Sequence, residues 1–582
     1  MTLPAGRAPS AHRATVVVAA LAIAAAIALG VVLRLADPLS SSVVPAEDPY
    51  THMALVREHL RTGQLDGLWA HQDLYPPGLH GFLAAAWVYT GFDLYSITLY
   101  GPVVFGAIGI LGMGLLLWRT SGPTAGFVAA LAMAVMPEAI FRTTMMSPTA
   151  LDMAVLPFLL GSLLMVLSGR LRWVGVAAPL ALFLALAHPW LLAILCAAGA
   201  VSVVLALLLP SASPPSAPSP LGIAACMAVL GVGFAIALRM PGFGDALQFP
   251  GPGVLDALAL AVGALALAPL AVLGLLRRRG VTLGWPTRGP GPWWLRLALS
   301  ACIAIGLVAT YEAALQHGLP TFVDLPLMLG WPVLLLAALA LVALPFIASP
   351  MAHLAAGLFA ATFPFVIFNP LHSEFLPHRT VVFLGLSLAA LAGVAAGAAA
   401  HSLALPLRSW VTRGAAAGRR LRGPAILAAV PAVLVATLLG GSIYAGTPDS
   451  YPGGWYRLYT PCELDALRDV ARQADAMPDA VVVAGDWQAK LVLAGLSTDA
   501  QRIWYDGRVF TSEKARDALV AQMDHDHRPI LLVVDRYLHS ETPDADTSFA
   551  SSPPWHETAS SCSATALGQP RVVVYATDGG AP

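Results

Sequence analysis

The chain has 582 residues, 57% of them hydrophobic and only 11% charged, with a net charge of -1 and a mean hydropathy of +0.73. A soluble domain carries roughly 25% charged residues, so this composition excludes a soluble globular protein and defines a polytopic membrane protein. No basic stripe interleaved with aromatics is present, which argues against nucleic acid as a partner.

Arg7 and Arg13 precede an apolar run at 15–33. The run matches a membrane span of roughly 20 residues and exceeds a signal-peptide core of about 7–15, so it reads as a retained first helix. The segment AEDPYTHMALVREHLRTG at 46–63 follows, opening on the acidic pair Glu47-Asp48. Carboxylates at a membrane face are costly unless they bind a cation, a proton or a substrate. Asp48 before Pro49 is also a good helix start, and on that helix His52 shares a face with Asp48.

The arginines set the expected topology. With the N-terminus cytoplasmic, residues 37–96 form a first external loop, 99–118 returns to Arg119, and 125–136 exits to a second external loop at 137–152. Further spans are expected at 153–167, 173–187, 190–209, 221–239, 254–276, 297–312, 326–346, 350–368, 380–400 and 425–443. The stretch 77–89 is expected to lie in the interface. The expectation is a polytopic α-helical membrane protein of about thirteen transmembrane helices, placed in the plasma membrane, with a small C-terminal extracytoplasmic α/β domain.

The tail changes character. ELDALRDVARQA and KARDALVAQM have helical spacing, whereas AVVVAG, RPILLVV and RVVVYAT are short β-rich runs. Two domains are therefore expected, 1–445 in the membrane and 446–582 outside it. Cys462 and Cys562 are the two of five cysteines outside predicted spans, and an oxidising compartment permits a bridge between them.

A third polar concentration is FNPLHSEFLPHRT at 368–380. Arg379 there can pair bidentately with a phosphate, with His378 and His372 as helpers. Snorkelling at an interface is the plainer alternative.

Together, Asp48-Pro49-Tyr50-Thr51-His52 with Arg57 downstream, MPEAIFRTTMMSPTALD with Pro137, Arg142 and Asp152, the many spans and the α/β tail resemble the catalytic subunits of oligosaccharyltransferases. These belong to the membrane-embedded C-type glycosyltransferase superfamily. The resemblance implies catalysis by Asp48 with Glu47, and Asp48 with Asp152 as candidate ligands of Mg2+ or Mn2+. It implies donor-phosphate binding by Arg379, His378 and His372, and substrate contacts from His52, Arg57 and Arg142. Asp486 and Trp487, in AGDWQAKLVLAGL, occupy the position comparable to the family's Trp-Trp-Asp-Tyr-Gly signature, which this chain lacks.

The implied function is an integral-membrane glycosyltransferase. It would move a sugar or oligosaccharide from a polyprenyl-(pyro)phosphate donor to an envelope glycan or protein acceptor at the outer face. A transporter or flippase of lipid-linked sugars and a true Asn-linked oligosaccharyltransferase are the alternatives. Transporters keep polar groups at the bilayer midplane, often in internal repeats. Few midplane charges and no obvious repeat are seen, which favours the enzyme.

Overall fold

The computed structural model describes residues 9–46, 48–63, 76–208, 219–239, most of 260–276, 293–316, 320–347, 349–368, 376–416, 459–477 and 479–577, the last with gaps at 527, 536, 539–541, 543, 552, 554 and 562–571. The helices are α1 (Pro9–Ser41), α2 (Asp48–Thr62), α3 (Pro77–Thr90), α4 (Leu94–Ser121), α5 (Pro123–Val135), α6 (Pro137–Arg142), α7 (Pro148–Leu167), α8 (Val174–Ala187), α9 (Pro189–Leu208) and α10 (Pro220–Ala237). They continue with α11 (Trp293–Gln316), α12 (Pro320–Leu329), α13 (Trp331–Ala343), α14 (Pro350–Phe368) and α15 (Leu376–Ala416).

Two compact units result. One holds residues 1–35, 103–143 and 148–452; the other holds 36–102, 144–147 and 453–582.

The expected count of about thirteen spans is corrected by the helix lengths. Among the described residues, seven helices are long and apolar enough to cross a membrane: Val16–Ser41, Leu94–Ser121, Pro148–Leu167, Pro220–Ala237, Trp293–Thr310, Pro350–Ile367 and Thr380–Ser402. Other apolar stretches form shorter helices, among them Pro123–Val135, Leu171–Ala187, Pro189–Leu205 and Trp331–Phe346. Hydropathy registers their composition, but Pro123, Pro137 and Pro189 fix where they start and stop. Thirteen residues in α5 rise only about 20 Å, against a hydrocarbon core of roughly 30 Å. The stretch expected at 425–443 lies outside the described residues, as does much of 254–276.

The first unit is a multi-pass helical bundle. Its most buried span is Thr380–Ser402 in α15, which packs on α5, α13 and α14. The run LAALAGVAAGAAA at 388–400 makes this contact close, since small residues let backbones approach. A Cβ at Gly393 would lie 2.7 Å from the Ala125 carbonyl oxygen. By contrast, Trp293–Thr310 is only 6% buried, and Val104, Ile108, Leu111 and Leu115 of α4 are exposed. Such apolar outer faces are what a lipid solvent requires.

In the second unit, the C-terminal part is built from α16 (Pro461–Ala476), β1 (Val481–Ala484), α17 (Trp487–Leu496), β2 (Ile503–Tyr505), α18 (Glu513–His525), β3 (Ile530–Asp535), β4 (Trp555–Ser561) and β5 (Val572–Thr577). The sheet order is β2-β1-β3-β5-β4. β1 runs parallel to β2 and β3, while β5 is antiparallel to β3 and β4. All four residues of β1 are buried, as expected of a central parallel strand covered on both faces. A capping box of Thr460 and Glu463 starts α16. Cys462 is disulfide-bonded, while Cys196, Cys226 and Cys302 are free thiols. Cys562 lies outside the described residues.

Candidate active site

The first group of candidates lies in the second unit. After α1 the chain turns through Ser42 and Ala46, both at positive φ. Tyr95 pins this turn, since its hydroxyl accepts from the Val44 amide at 3.2 Å and donates to the Ser42 carbonyl at 2.9 Å. α2 then begins at Asp48, with Pro49 supplying the fixed φ of a first helical turn. Asp48 is partly exposed, whereas the run from Pro49 to Val56 is buried. Glu47 lies outside the described residues.

His52 meets a partner that its spacing did not reveal. Its Nδ1 lies 3.0 Å from Nε2 of His80, which sits in the first turn of α3, and both rings are buried. One ring must donate and the other accept, so the pair is stable with a single shared proton. Burial, with His52 and His59 nearby, holds His80 well below its ordinary 6.5. The unfolded chain takes up a proton near 6.5 that the folded chain refuses, so stability is full above that pH and falls below it. The melting temperature of the purified protein should therefore drop between about pH 7 and pH 5, and His80→Gln should flatten that slope. An unchanged slope in the variant would remove His80 as its source.

The far end of α2 docks on α17. Arg57 donates to the carbonyls of Gly495 and Ser497, the latter at 3.0 Å, so its guanidinium caps the end of α17. Burial pulls its pKa below the usual guanidinium range, opposed by Asp475. Glu58 joins Arg61 at 2.7 Å and Gln501 at 3.0 Å. Contact is so close at Gly495 that an added Cβ would lie 2.6 Å from the Cβ and carbonyl oxygen of Tyr50 and 2.7 Å from its Cα. Because backbone cannot yield as a side chain does, Gly495→Ala should cost about 1–3 kcal/mol, visible as a lower melting temperature. A variant that melts with the wild type would refute this packing.

Asp486 and Trp487 open α17. Asp486 is fully buried and accepts from the Ala489 amide at 2.8 Å, a helix cap. Trp487 packs edge-on against Tyr505, with ring centroids 6.0 Å apart, and Lys490 Nζ lies 4.5 Å over its ring.

The second group lies in the first unit. Met136 separates α5 from α6, which carries Glu138 and Arg142 one turn apart. They form an ion pair at 2.7 Å, with Glu138 fully buried. Burial pushes the Glu138 carboxyl up, and Arg142 opposes the rise. Asp152, in the first turns of α7, is fully buried and bonded to Nδ1 of His188, which occupies the break between α8 and α9. Its second oxygen, Oδ1, has no hydrogen-bond partner among the described residues.

His188 also packs on Phe383 of α15, with centroids 5.8 Å apart, and Trp190 Nε1 donates to Thr380 at 3.4 Å. The start of α15 thus lies beside the Asp152–His188 pair. Arg379 and His378 fall in the first turn of α15, but their side chains lie outside the described residues, as does all of His372.

Sequence reading missed Arg34, His80, Glu138 and His188 as structural partners. The available signal was polar side chains at apolar helix ends: Arg34 late in a span, His80 after Pro76-Pro77 and His188 before Pro189.

The fold is similar to that of the Archaeoglobus fulgidus oligosaccharyltransferase tethered to an acceptor peptide containing the NVT sequon. The TM-score is 0.58 at 14% identity, covering 90% of this chain and 69% of that one. The same protein in complex with Zn and sulfate matches at 0.55 and 13%, covering 95% and 72%. ArnT from Cupriavidus metallidurans, bound to undecaprenyl phosphate, has a TM-score of 0.47 at 13% identity, covering 99% and 100%. No family model and no curated protein sequence matches the chain. At such identities the common property is the fold, which this chain shares with that archaeal oligosaccharyltransferase.

Proposed function

We propose that this chain is an integral-membrane glycosyltransferase that moves a sugar from a polyprenyl-linked phosphate or pyrophosphate donor to a glycan or protein acceptor at the outer membrane face. The observation that carries the reading is the fold likeness to an oligosaccharyltransferase across 90% of the chain. Asp48 supports it, as a carboxylate at a helix start directly after the first span.

In this reading the N-terminus is cytoplasmic, and the sheet domain faces outward with the 37–96 loop. Asp48 accepts the proton of the acceptor nucleophile or orients it, and Arg379 pairs with the donor phosphate. The lipid phosphate leaves with its bonding electrons, so no nucleotide is needed at that face. Among the described residues no group of three or more His, Cys, Asp or Glu side chains could hold a metal ion. The acceptor class stays broad because Asp486-Trp487 stands without the Trp-Trp-Asp-Tyr-Gly signature.

The test is transfer from radiolabelled polyprenyl-phosphate and polyprenyl-pyrophosphate sugars by the purified protein in nanodiscs, wild type against Asp48→Asn. Label should pass to an envelope glycan or protein only with the wild type. Movement of labelled lipid across vesicles without any transfer would establish a transporter instead.

A further inference from the structure

In the sheet domain an open concavity of about 460 Å³ is lined by Tyr505, Asp506, Gly507, Arg508, Thr511 and Thr542. Its volume falls within the roughly 300–1,000 Å³ of small-molecule sites. It lies at the carboxyl end of β2, the side of a parallel sheet where ligands collect. Its walls are of two kinds. Tyr505 presents an aromatic surface, 40% exposed, and is braced edge-on by Trp487, whose ring is in turn held by Lys490. Opposed to it in chemistry are a fixed ion pair and two hydroxyls.

Arg508 binds both oxygens of Asp506, at 2.8 Å each, and its amide adds a third bond to Asp506 at 3.1 Å. That pairing holds the Asp506 carboxyl below the usual carboxylate range, so both charges persist at neutral pH and cancel. Gly507 keeps the floor open, since a Cβ there would come within 3.1 Å of Thr542 Oγ1.

We propose that this concavity binds a neutral saccharide. A sugar ring has an apolar C–H face that covers an aromatic ring, and a rim of hydroxyls that both donate and accept. The Asp506–Arg508 pair offers acceptor and donor edges side by side, matched to neighbouring hydroxyls, and Thr511 and Thr542 extend the polar rim. An anion finds Arg508 already neutralised, which disfavours phosphate. Resting on the glycosyltransferase reading, the site gives a glycan acceptor a hold on the sheet domain.

The test is binding without donor. Full-length protein in nanodiscs is titrated calorimetrically with neutral trisaccharides of glucose, mannose, galactose and arabinose, with inorganic phosphate, and with an Asn-containing acceptor peptide. At least one neutral trisaccharide should bind. Tyr505→Ala should weaken it about tenfold or more and Tyr505→Phe by less than about threefold, because the stacking face is kept. Arg508→Gln should also weaken it. Matched melting temperatures establish that the variants fold, and Arg508→Gln serves if Tyr505→Ala does not. No saccharide binding up to ~20 mM, well above the millimolar range of weak complexes, would overturn the site. So would binding indifferent to Tyr505→Ala and Arg508→Gln, or binding of phosphate or peptide alone. Saccharide binding without sugar transfer by the wild type would refute the transfer reading and leave this site standing.

Discussion

Asp48→Asn should lower sugar transfer by about 10²- to 10⁴-fold, the usual contribution of a positioned general base, with no loss of stability. The choice of Asn separates two roles of one carboxylate. Asp48 begins α2, immediately before Pro49, and a helix start gains from an Asp side chain. Asn caps a helix about as well as Asp, so a capping role survives the change. Proton acceptance does not, because an amide has no basic lone pair at neutral pH. Equal melting temperatures with transfer abolished would therefore identify chemistry. A transfer rate within about threefold of the wild type would leave Asp48 as a cap only.

Arg34→Ala should destabilise the membrane bundle by on the order of 3 kcal/mol or more. Arg34 is fully buried, and its guanidinium donates to Thr143 Oγ1 and to the carbonyls of Gly30, Ala134 and Met133, the last three at 3.0 Å each. The Met133 carbonyl would accept from residue 137 in a continuous helix, but Pro137 has no N–H. Arg34 thus satisfies backbone oxygen at the α5–α6 break, the turn that presents Glu138 and Arg142. Space for it is built in, since a Cβ at Gly106 would fall 2.5 Å from Arg34 Nε. Removing the guanidinium in a lipid solvent leaves those oxygens without donors and opens a cavity. Arg34→Lys should recover part of the loss, because an ammonium supplies three donors but not the planar fork. Thermal melting in detergent measures both, and an Arg34→Ala protein as stable as the wild type would refute the capping role.

Local patterns were read well where they are self-contained. The runs AVVVAG, RPILLVV and RVVVYAT appear as β1, β3 and β5, because a continuous apolar β-branched stretch bounded by polar residues has few other uses. β2 is three residues long and β4 is the polar WHETASS, so neither carries a hydrophobic signature. Helix number failed for a related reason. Apolar composition tells a segment which solvent it prefers, while the prolines that end α5 and start α9 decide whether it is long enough to cross.

Pairings between distant polar groups were not legible. His52 and His80 are 28 positions apart, Asp152 and His188 are 36, and Arg34 and Thr143 are 109. No periodicity links such residues, and each looks ordinary by itself.

By itself, then, the sequence determined the solvent, the helix start at Asp48 and the change from membrane helices to an α/β tail. Each follows from short-range chemistry: side-chain transfer free energy, the fixed φ of proline, and the β preference of branched residues. Only the tertiary structure decided how many helices have spanning length, that Arg57 is spent on the end of α17, and that His188 holds Asp152. Those outcomes depend on which buried donors and acceptors meet once the chain has left water, where an unpaired polar group is too costly to leave alone.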